Sequence, residues 1–523
     1  MTEFKDYLGI DIGTTSIKIA YYDSKTNQPI NVAFKDGDLY YPSYYAVHKK
    51  TGRSKTGMDA KNQMSSPQFV VIYEVKRFIG KKYDDESIIE EKNRVTYKVT
   101  KNPDDGSVLM QIGPQRSITP SDFYQVILKE IKGIIENQGI KAKNAVVTVP
   151  VTFGDTERDL IRKIVKSPEF GMNDVQIFNE PTAAAIDCGI EKDEFEGMFA
   201  IFDYGGGTLD VSVIEMTKEG EKANFEVIRH GGLRGNGGSD LDQLIVNKVL
   251  SDIKDGLIQV EDVDETLKFL KGPKGSARLK KECEDCKIAL SSKEDYSFSL
   301  PLETDDDEEE EVTVTILRSD FETVICGEKF DEAVECLQNV IAEAEDERGT
   351  KVNKILMVGG SSQIPYLKTL IEERTKITPE ISEHPLLSVS RGAAIKGSSM
   401  QIETKERSAY SVGIEITEQG LPLIYTIIEK NTPLPVIGEY TFRVPYDAMD
   451  VIRTWVYKDA KLPELNKRIG EIEMYMDAYV PKMNDRVVLR VEMTEEGCLT
   501  LTFTLPDSTF GNQFVKNIDI NTK

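Results

Sequence analysis

Two stretches of the chain alternate apolar and polar residues on either side of a short glycine turn. Over residues 7–23, an apolar run reaches Asp11, a Gly-Thr-Thr turn follows, and apolar residues then return at every second position. Over residues 197–216, an apolar run reaches Asp203, three glycines and Thr208 follow, and the same alternation resumes. A period of two residues is typical of strands, so each stretch predicts a β-hairpin. The repetition predicts a duplicated supersecondary unit.

Between the hairpins, apolar residues recur every three or four positions in several segments, which is the period of an amphipathic helix. One segment starts with Thr119 and a proline and stops at Gly139, so both of its ends carry helix signals. A second segment begins at Asp155, which we expect to be its N-cap. A third follows a short apolar strand and opens with Glu180 and a proline. Strands that alternate with helices predict a layered α/β domain whose ligands bind where strands meet helices.

The pattern changes near residue 397. Beyond it, short apolar runs are separated by Gly, Pro and Asn turns, and the helical period is almost absent. Short strands at regular spacing are typical of a β-sandwich. We therefore predict an α/β domain over residues 1–397, a linker over 398–408 and an all-β domain over 409–523.

Length and charge narrow the possible functions. A chain of 523 residues is too long for one hydrophobic core, in agreement with at least two domains. Its formal net charge of −24 argues against a nucleic-acid partner, since binding to phosphate backbones requires clustered basic residues. The start of the chain lacks the apolar core of a signal peptide, and no run is long enough to span a bilayer. We therefore expect a cytoplasmic protein with no membrane partner.

The cysteines and the acidic tract suggest no separate chemistry. Six cysteines are too few for a disulfide framework and suit a reducing compartment. Cys283 and Cys286 form a CxxC motif inside a helical pattern, so two thiols on one helix are a simpler interpretation than a zinc or redox site. The acidic run over 302–312 is expected to be a solvated hairpin loop.

Three glycine-bearing turns indicate a phosphate site, and they span residues 13–15, 205–208 and 359–361. Glycine lets backbone N–H groups approach phosphate oxygens, and threonine hydroxyls add donors. Four carboxylates accompany the strands: Asp11, Glu180, Asp203 and Asp210. Because bare carboxylates repel phosphate, a magnesium ion with its water molecules is the expected mediator. The combination predicts a magnesium nucleotide, whereas the P-loop and Rossmann motifs are both missing from the sequence.

Several motifs occur in the order found in the heat shock protein 70 chaperone family. They are GIDIGTTS, VKRFIGKKYDD, VTVPVTFGDTER, NEPTAAAIDCGI, FDYGGGTLDVSV, MVGGSSQIP and RGAAIKG, and SVGIEI with EKNTPLP resembles the start of that family's substrate-binding domain. The resemblance covers nearly the whole chain. It implies an α/β actin-like (ribonuclease H-like), two-lobed ATPase domain followed by an all-β sandwich domain. It also implies ATP or ADP with Mg²⁺ as ligands and slow ATP hydrolysis.

The resemblance also implies residue roles. Lys76 should contact the γ-phosphate, and Glu180 and Asp203 should orient the attacking water, with Thr208 on the phosphates. Magnesium should be held, mostly through water, by Asp11, Asp203 and Asp210. The nucleotide-binding set matched by motif is Gly13, Thr14, Thr15, Gly205, Gly206, Gly207, Gly238, Glu284, Lys287, Ser291, Gly359, Gly360 and Ser361.

Further roles concern the coupling of nucleotide to peptide. Pro150 and Arg158 match residues that relay nucleotide state in the family, although the sequence alone would make them a strand-end proline and a surface arginine. Leu421, Leu423 and Phe442 fit a peptide groove and fit a sandwich core equally well. Expected partners are unfolded or extended apolar polypeptides, with a J-domain co-chaperone and a nucleotide exchange factor as further possibilities.

The chain also departs from the family pattern. The usual leucine-rich linker is replaced by QIETKERSAY, in which Ile402 is the main apolar residue, so we expect weak docking of the linker as an extra strand. Gln363 stands where the family has an arginine, which predicts a lower nucleotide affinity, and we expect no helical lid after the sandwich. Two alternatives remain open from the sequence. One is a sugar or acid kinase of the same actin-like superfamily, and the other is a scaffold that binds nucleotide without hydrolysing it.

Overall fold

The structure is a computed structural model. It describes residues 7–191, 196–220, 222–303, 309–398, 402–418, 420–444, 447, 451–464, 467–475, 482–483, 485–506 and 516–519.

The first part of the chain forms one lobe around a mixed sheet. Its central strands have the order β12-β11-β1-β2-β3, in which β1, β11 and β12 are parallel and β1–β2–β3 is an antiparallel meander. The strands are β1 Tyr7–Ile12, β2 Ser16–Asp23, β3 Gln28–Asn31, β4 Tyr41–Pro42, β5 Tyr45–His48, β6 Ser54–Thr56, β7 Phe69–Ile72, β8 Val99–Lys101, β9 Val108–Gly113, β10 Arg116–Ile118, β11 Asn144–Val149 and β12 Asp174–Asn179. The helices are α1 Gly57–Lys61, α2 Glu86–Arg94, α3 Pro120–Asn137, α4 Asp155–Lys166 and α5 Glu180–Glu191.

The second lobe repeats this plan. Its sheet has the order β19-β18-β13-β14-β15-β20, again with a parallel half and an antiparallel meander that starts with the predicted hairpin. The strands are β13 Gly197–Tyr204, β14 Thr208–Glu219, β15 Lys222–Arg234, β16 Asp295–Glu303, β17 Glu309–Leu317, β18 Lys354–Val358, β19 Glu380–Ile381 and β20 Ile402–Lys405. The helices are α6 Gly238–Lys254, α7 Val263–Lys271, α8 Pro273–Leu290, α9 Arg318–Asp320, α10 Gly327–Arg348, α11 Pro365–Thr375 and α12 Ser388–Ser398. The predicted hairpins and their duplication are therefore confirmed.

The C-terminal part is made of strands in two antiparallel sheets of order β22-β21-β24-β25 and β23-β26-β27-β28. Their bounds are β21 Val412–Glu418, β22 Leu421–Ile428, β23 Val436–Arg443, β24 Val451–Lys458, β25 Arg468–Tyr475, β26 Arg486–Met493, β27 Leu499–Thr504 and β28 Lys516–Asp519. Apolar side chains of both sheets share one core, among them Ile414, Val456, Leu489 and Leu501. The predicted all-β character is confirmed for the residues of this region that the structure describes.

Two details of the predicted elements change. Asp155 is the first residue of α4 and Gly154 is its N-cap, so the Asp155 side chain does not cap the helix. Asp155 Oδ2 instead accepts a hydrogen bond of 3.2 Å from the backbone N–H of Leu499 in the sandwich. Asp155 therefore contacts the sandwich instead of capping its own helix.

The expected weakness of the linker is also corrected. Residues 402–405 form β20, which pairs in parallel with β15 at the edge of the second sheet, and Ile402 is buried there. Backbone hydrogen bonds do not depend on side-chain identity, so a strand can be added at a free edge with little apolar surface.

The predicted interpretation of the cysteine pair is confirmed. Cys283 and Cys286 are buried free thiols on α8. The acidic tract over 302–312 is strand at both described ends, where Leu302 pairs with Glu310 and Glu303 with Glu309, so the prediction of a loop is wrong there; residues 304–308 lie outside the described residues. Within the described part of the chain, none of the helices combines the length and apolarity needed to cross a bilayer.

Candidate functional site

A cavity of about 370 Å³ lies between the two lobes, where both glycine hairpins end. It gathers nearly every residue that the sequence assigned to nucleotide binding. The predicted residues that line it are Asp11, Gly13, Thr14, Thr15, Lys76, Glu180, Asp203, Gly205, Gly206, Gly207, Thr208, Gly238, Glu284, Lys287, Ser291, Gly359, Gly360 and Ser361.

The two glycine turns face each other across this cavity. A Cβ atom added to Gly207 would lie 2.3 Å from Thr14 Oγ1, and one added to Gly206 would lie 2.8 Å from Thr15 Cγ2. Distances of this size leave no room for a side chain. The approach of the lobes therefore requires bare backbone, which also exposes N–H groups to a ligand.

Lys76 and Glu180 form a buried ion pair at the floor of the cavity. Lys76 Nζ donates to Glu180 Oε1 at 2.8 Å, and the ammonium lies 5.5 Å from the centre of the Phe153 ring. Lys76 is only 6% exposed, so its ammonium group is largely removed from solvent. Burial raises the pKa of Glu180 to about 7, against the opposing effect of Lys76, with Asp11 and Asp210 adding to the rise.

The remaining acids concentrate negative charge at the same end. Burial, followed by repulsion from Glu180 and Asp210, holds the pKa of Asp203 well above its usual value. Asp210 lies behind the cavity wall, where it accepts hydrogen bonds from Val151 N–H at 3.1 Å and from Thr208 Oγ1 at 3.0 Å. Burial also raises the pKa of Asp210.

This donor set fits magnesium bound through water. Raised carboxyl pKa values mark negative charge that a divalent cation would compensate. Among the described residues, no three His, Cys, Asp or Glu side chains are placed to hold an ion directly. Magnesium keeps several water ligands and usually takes the rest from phosphates and one or two carboxylates, so the arrangement suits a magnesium nucleotide.

The opposite end of the cavity is held by ion pairs from two lobes. Lys287 Nζ lies 2.7 Å from Asp242 Oδ1 and donates to the Gly238 carbonyl at 2.9 Å. Glu284 pairs with Lys61 of the first lobe at 2.9 Å. Beside these ion pairs the wall contains Ile288, Gln363 and Leu386, whose uncharged side chains suit contact with a nucleobase.

Sequence analysis missed several cavity residues, of which Lys18 and Asp242 carry charge. Lys18 lies opposite Asp11 in the β1–β2 hairpin, and its Nζ is 3.0 Å from Asp11 Oδ2. The hairpin register could have predicted this pair. Asp242 gave no signal, because its partner Lys287 is 45 positions away in the chain and only the packing of α6 on α8 unites them.

Arg158 lies between Phe153, which contacts Lys76 of the cavity, and the segment that leads into the β-sandwich. Its Nε donates to the Phe153 carbonyl at 3.1 Å and its Nη2 to Asn179 Oδ1 at 2.7 Å. Asn179 Nδ2 in turn donates to Glu406 Oε2 at 2.8 Å, just beyond β20. Arg158 is 5% exposed and Pro150 is also buried, so the interpretation of Arg158 as a surface arginine is wrong.

The predicted groove residues lie on the two neighbouring edge strands of the sandwich. Leu421 is 70% exposed, whereas Leu423 and Phe442 are half-buried. The rings of Tyr425 and Phe442 meet edge to face at 5.7 Å and join β22 to β23. Leu421 is therefore available at the surface, and Phe442 also contributes to packing.

Comparison with known proteins agrees with this geometry. The profile of the Hsp70 protein family matches residues 7–516. The chaperone protein DnaK of Psychrobacter cryohalolentis is 29% identical over 509 residues, which is 95% of this chain and 75% of that protein. The match spans both lobes and the sandwich. The chain therefore belongs to the Hsp70 family of ATP-dependent chaperones, which are ATPases.

Proposed function

We propose that the cavity binds magnesium-ATP and hydrolyses it slowly, and that the sandwich binds extended apolar polypeptide. The observation that carries this proposal is the buried Lys76–Glu180 pair at the floor of a cleft lined by glycine turns from both lobes. A lysine desolvated to this degree, beside an acid whose pKa is raised, is typical of a reaction site. We also propose that the duplicated sheets form an actin-like domain of the ribonuclease H-like class.

Each of the cavity residues has its own role in the transfer of the phosphoryl group to water. Lys76 contacts the γ-phosphate and stabilises the charge of the transition state. Glu180 and Asp203 orient the attacking water. Thr208 turns its hydroxyl from Asp210 to the phosphates when nucleotide binds, and the turn around Thr14 supplies further donors. When bound, magnesium neutralises phosphate oxygens, and the acids at this end hold its water molecules.

We further propose that hydrolysis is communicated to the sandwich through the Arg158–Asn179–Glu406 chain of hydrogen bonds. Arg158 touches the loop that carries Phe153, and Phe153 lies against Lys76. A shift of Lys76 on loss of the γ-phosphate would therefore move a partner of the segment that leads into the sandwich. We also propose, from the family membership, that the protein is a cytoplasmic chaperone that uses a J-domain protein and a nucleotide exchange factor.

The direct test is ATP hydrolysis by the purified protein with and without a panel of extended apolar peptides. We expect slow hydrolysis that increases with peptide, that stops in EDTA, and that is lost in Lys76→Ala and Asp203→Asn. Lys35→Ala serves as control, because Lys35 forms an exposed pair with Asp59 and neither residue lines the cavity.

Other outcomes would support the alternatives. Binding of ATP with no hydrolysis under any condition would contradict the proposal and support a scaffold. Transfer of the γ-phosphate to a small-molecule acceptor would support a kinase.

A further inference from the structure

The two duplicated hairpins differ in one charged position. In the second hairpin, Asp203 lies opposite Asp210 across the strands, whereas in the first hairpin Asp11 lies opposite Lys18. Cross-strand partners project from the same face of a sheet. The duplication therefore places a second lysine, besides Lys76, at the phosphate end of the cavity.

Lys18 is held close to the first glycine turn. Its Nζ lies 3.0 Å from Asp11 Oδ2, and a Cβ atom added to Gly13 would lie 3.1 Å from the same Nζ. The Lys18 side chain lines the cavity but is only 12% exposed. The ammonium has three N–H donors, and the bond to Asp11 uses one of them.

The charges at this end favour a cation in this position. The carboxylates that line this end are Asp11, Glu180 and Asp203, and Asp210 lies behind its wall. The ammonium groups that line it are Lys18 and Lys76. When a divalent cation binds and all four carboxylates are ionised, they exceed the two ammonium groups by two negative charges, which that cation balances. A polyphosphate that enters such a site needs further positive charge in contact with it, because desolvated anions repel strongly.

We propose that Lys18 binds a phosphate oxygen of the nucleotide at the Gly13 turn, as a second cationic contact of the polyphosphate. This inference rests on the proposed function of the cavity and names a further substrate-binding residue. Asp11 positions the Lys18 ammonium, while Lys76 approaches the polyphosphate from the side of Glu180. The first lobe would thus supply two ammonium groups to the polyphosphate, one from Lys76 and one from Lys18.

The test measures nucleotide binding by calorimetry, in EDTA and in magnesium, for wild type and Lys18→Met. Loss of one charge-assisted hydrogen bond should weaken ADP binding by about 10- to 100-fold. Adenosine has no phosphate, so its affinity should change by less than about twofold. Lys35→Met removes a similar but exposed ion pair and should bind ADP like wild type.

The variant Lys18→Met/Asp11→Asn distinguishes a phosphate contact from simple neutralisation of Asp11. A phosphate contact predicts that the double variant stays weak for ADP in EDTA. Recovery of wild-type affinity in the double variant, or unchanged ADP affinity in Lys18→Met, would overturn the proposal.

A second variant covers the possibility that methionine disturbs the fold. Lys18→Ala leaves space for a small amine, so ethylammonium should restore ADP affinity whereas tetramethylammonium at equal ionic strength should not. Equal effects of both salts would contradict a specific cation position. If wild type bound no nucleotide, the proposed function would fail together with Lys18; if wild type binds and Lys18→Met binds equally well, only the Lys18 contact fails.

Discussion

At the scale of single residues, the closest packing lies where α12 crosses α5 between the two sheets. A Cβ atom added to Gly392 would lie 1.7 Å from the carbonyl oxygen of Ala183, and one added to Gly9 would lie 2.2 Å from the backbone of α12. Both glycines are needed for the backbones to approach, and backbone cannot give way as a flexible side chain does. The close packing of α12 on α5 and on β1 therefore depends on glycine at both positions.

We expect Gly392→Ala to lower the stability of the ATPase lobes by at least about 2 kcal/mol, because α12 must move away from α5. The measurement is the first thermal unfolding transition, followed by circular dichroism. Gly133→Ala on α3 is the matched control, since nothing lies within 4 Å of the added methyl. That change should be neutral or stabilising by up to about 1 kcal/mol; equal destabilisation by both would contradict the argument.

At the scale of elements, β20 is held to the second sheet by its backbone and by the arginine that follows it. Arg407 Nε donates to the Val227 carbonyl at 2.8 Å, Nη1 to the Asn431 carbonyl at 3.0 Å, and Nη2 to Glu347 at 2.7 Å. These partners belong to β15, to the turn after β22 and to α10. The buried hydrogen bonds of Arg407 therefore hold β20 to the second sheet in place of apolar side-chain contacts.

We expect Arg407→Gln to release β20, because it leaves buried acceptors unpaired at a cost of about 1–3 kcal/mol. Hydrogen exchange of the amides of residues 402–405 should become at least about tenfold faster. Lys405→Gln removes the same charge from a side chain that is 72% exposed, and should leave exchange unchanged. Protection that survives Arg407→Gln would show that the backbone pairing suffices.

At the scale of the whole molecule, one set of polar contacts joins the two lobes and a second set joins the lobes to the sandwich. Across the nucleotide cleft, Asp240 of α6 pairs with Arg94 and, at 3.1 Å, with Arg77 of the first lobe. Between the ATPase lobes and the sandwich, Asp155 contacts Leu499, and Lys458 donates to the Thr152 carbonyl at 3.4 Å. Lobe opening and sandwich release are thus governed by different residues.

Asp240→Asn should speed dissociation of a fluorescent ADP by about tenfold or more, because Arg77 and Arg94, whose side chains are 8% and 22% exposed, lose the charge of the partner that they share across the cleft. Stopped-flow displacement by unlabelled ATP measures this rate. The control is Asp252→Asn on the same helix, whose pair with Lys248 at 2.6 Å joins residues within α6. A dissociation rate equal to that of the control would contradict the cross-lobe role.

Docking of the sandwich should weaken as the pH rises from 6 to 8. Burial raises the pKa of Asp155 from its usual 3.8 to about 7 in the docked protein. Docking therefore takes up a proton, so its contribution is full below about pH 4 and lost as the pH rises through 7. Asp159, Arg158 and Lys458 face this carboxyl, and burial lowers the pKa of Lys458 to about 8, which opposes the trend only weakly in this range.

The equilibrium constant for docking of the sandwich should fall by about five- to tenfold from pH 6 to pH 8. It is measured by fluorescence energy transfer between a label on the first lobe and a label on the sandwich. Asp155→Asn keeps an acceptor for Leu499 N–H and should remove most of the dependence. A pH profile unchanged by this substitution would exclude Asp155 as its source.

The amino-acid sequence by itself determined the local parts of this protein. Period-two alternation, glycine turns and helix caps are set by neighbouring residues, so both hairpins, the helix that follows Thr119 and the strand-rich C-terminal region were predictable. The residues that line the cavity between the lobes were largely predictable for the same reason, because the glycines, threonines and acids among them lie within short motifs.

Only the tertiary structure decided the contacts between distant segments. It turned Asp155 from a helix cap into a contact with the sandwich, buried Arg158, and made the apolar-poor residues 402–405 a strand. Each outcome depends on a partner far away in the chain: the Leu499 amide, Asn179 or the free edge of β15. Local patterns indicate which side chains are stabilised by burial or by a hydrogen bond. Which partner each of them contacts is determined only when the sheets and helices pack.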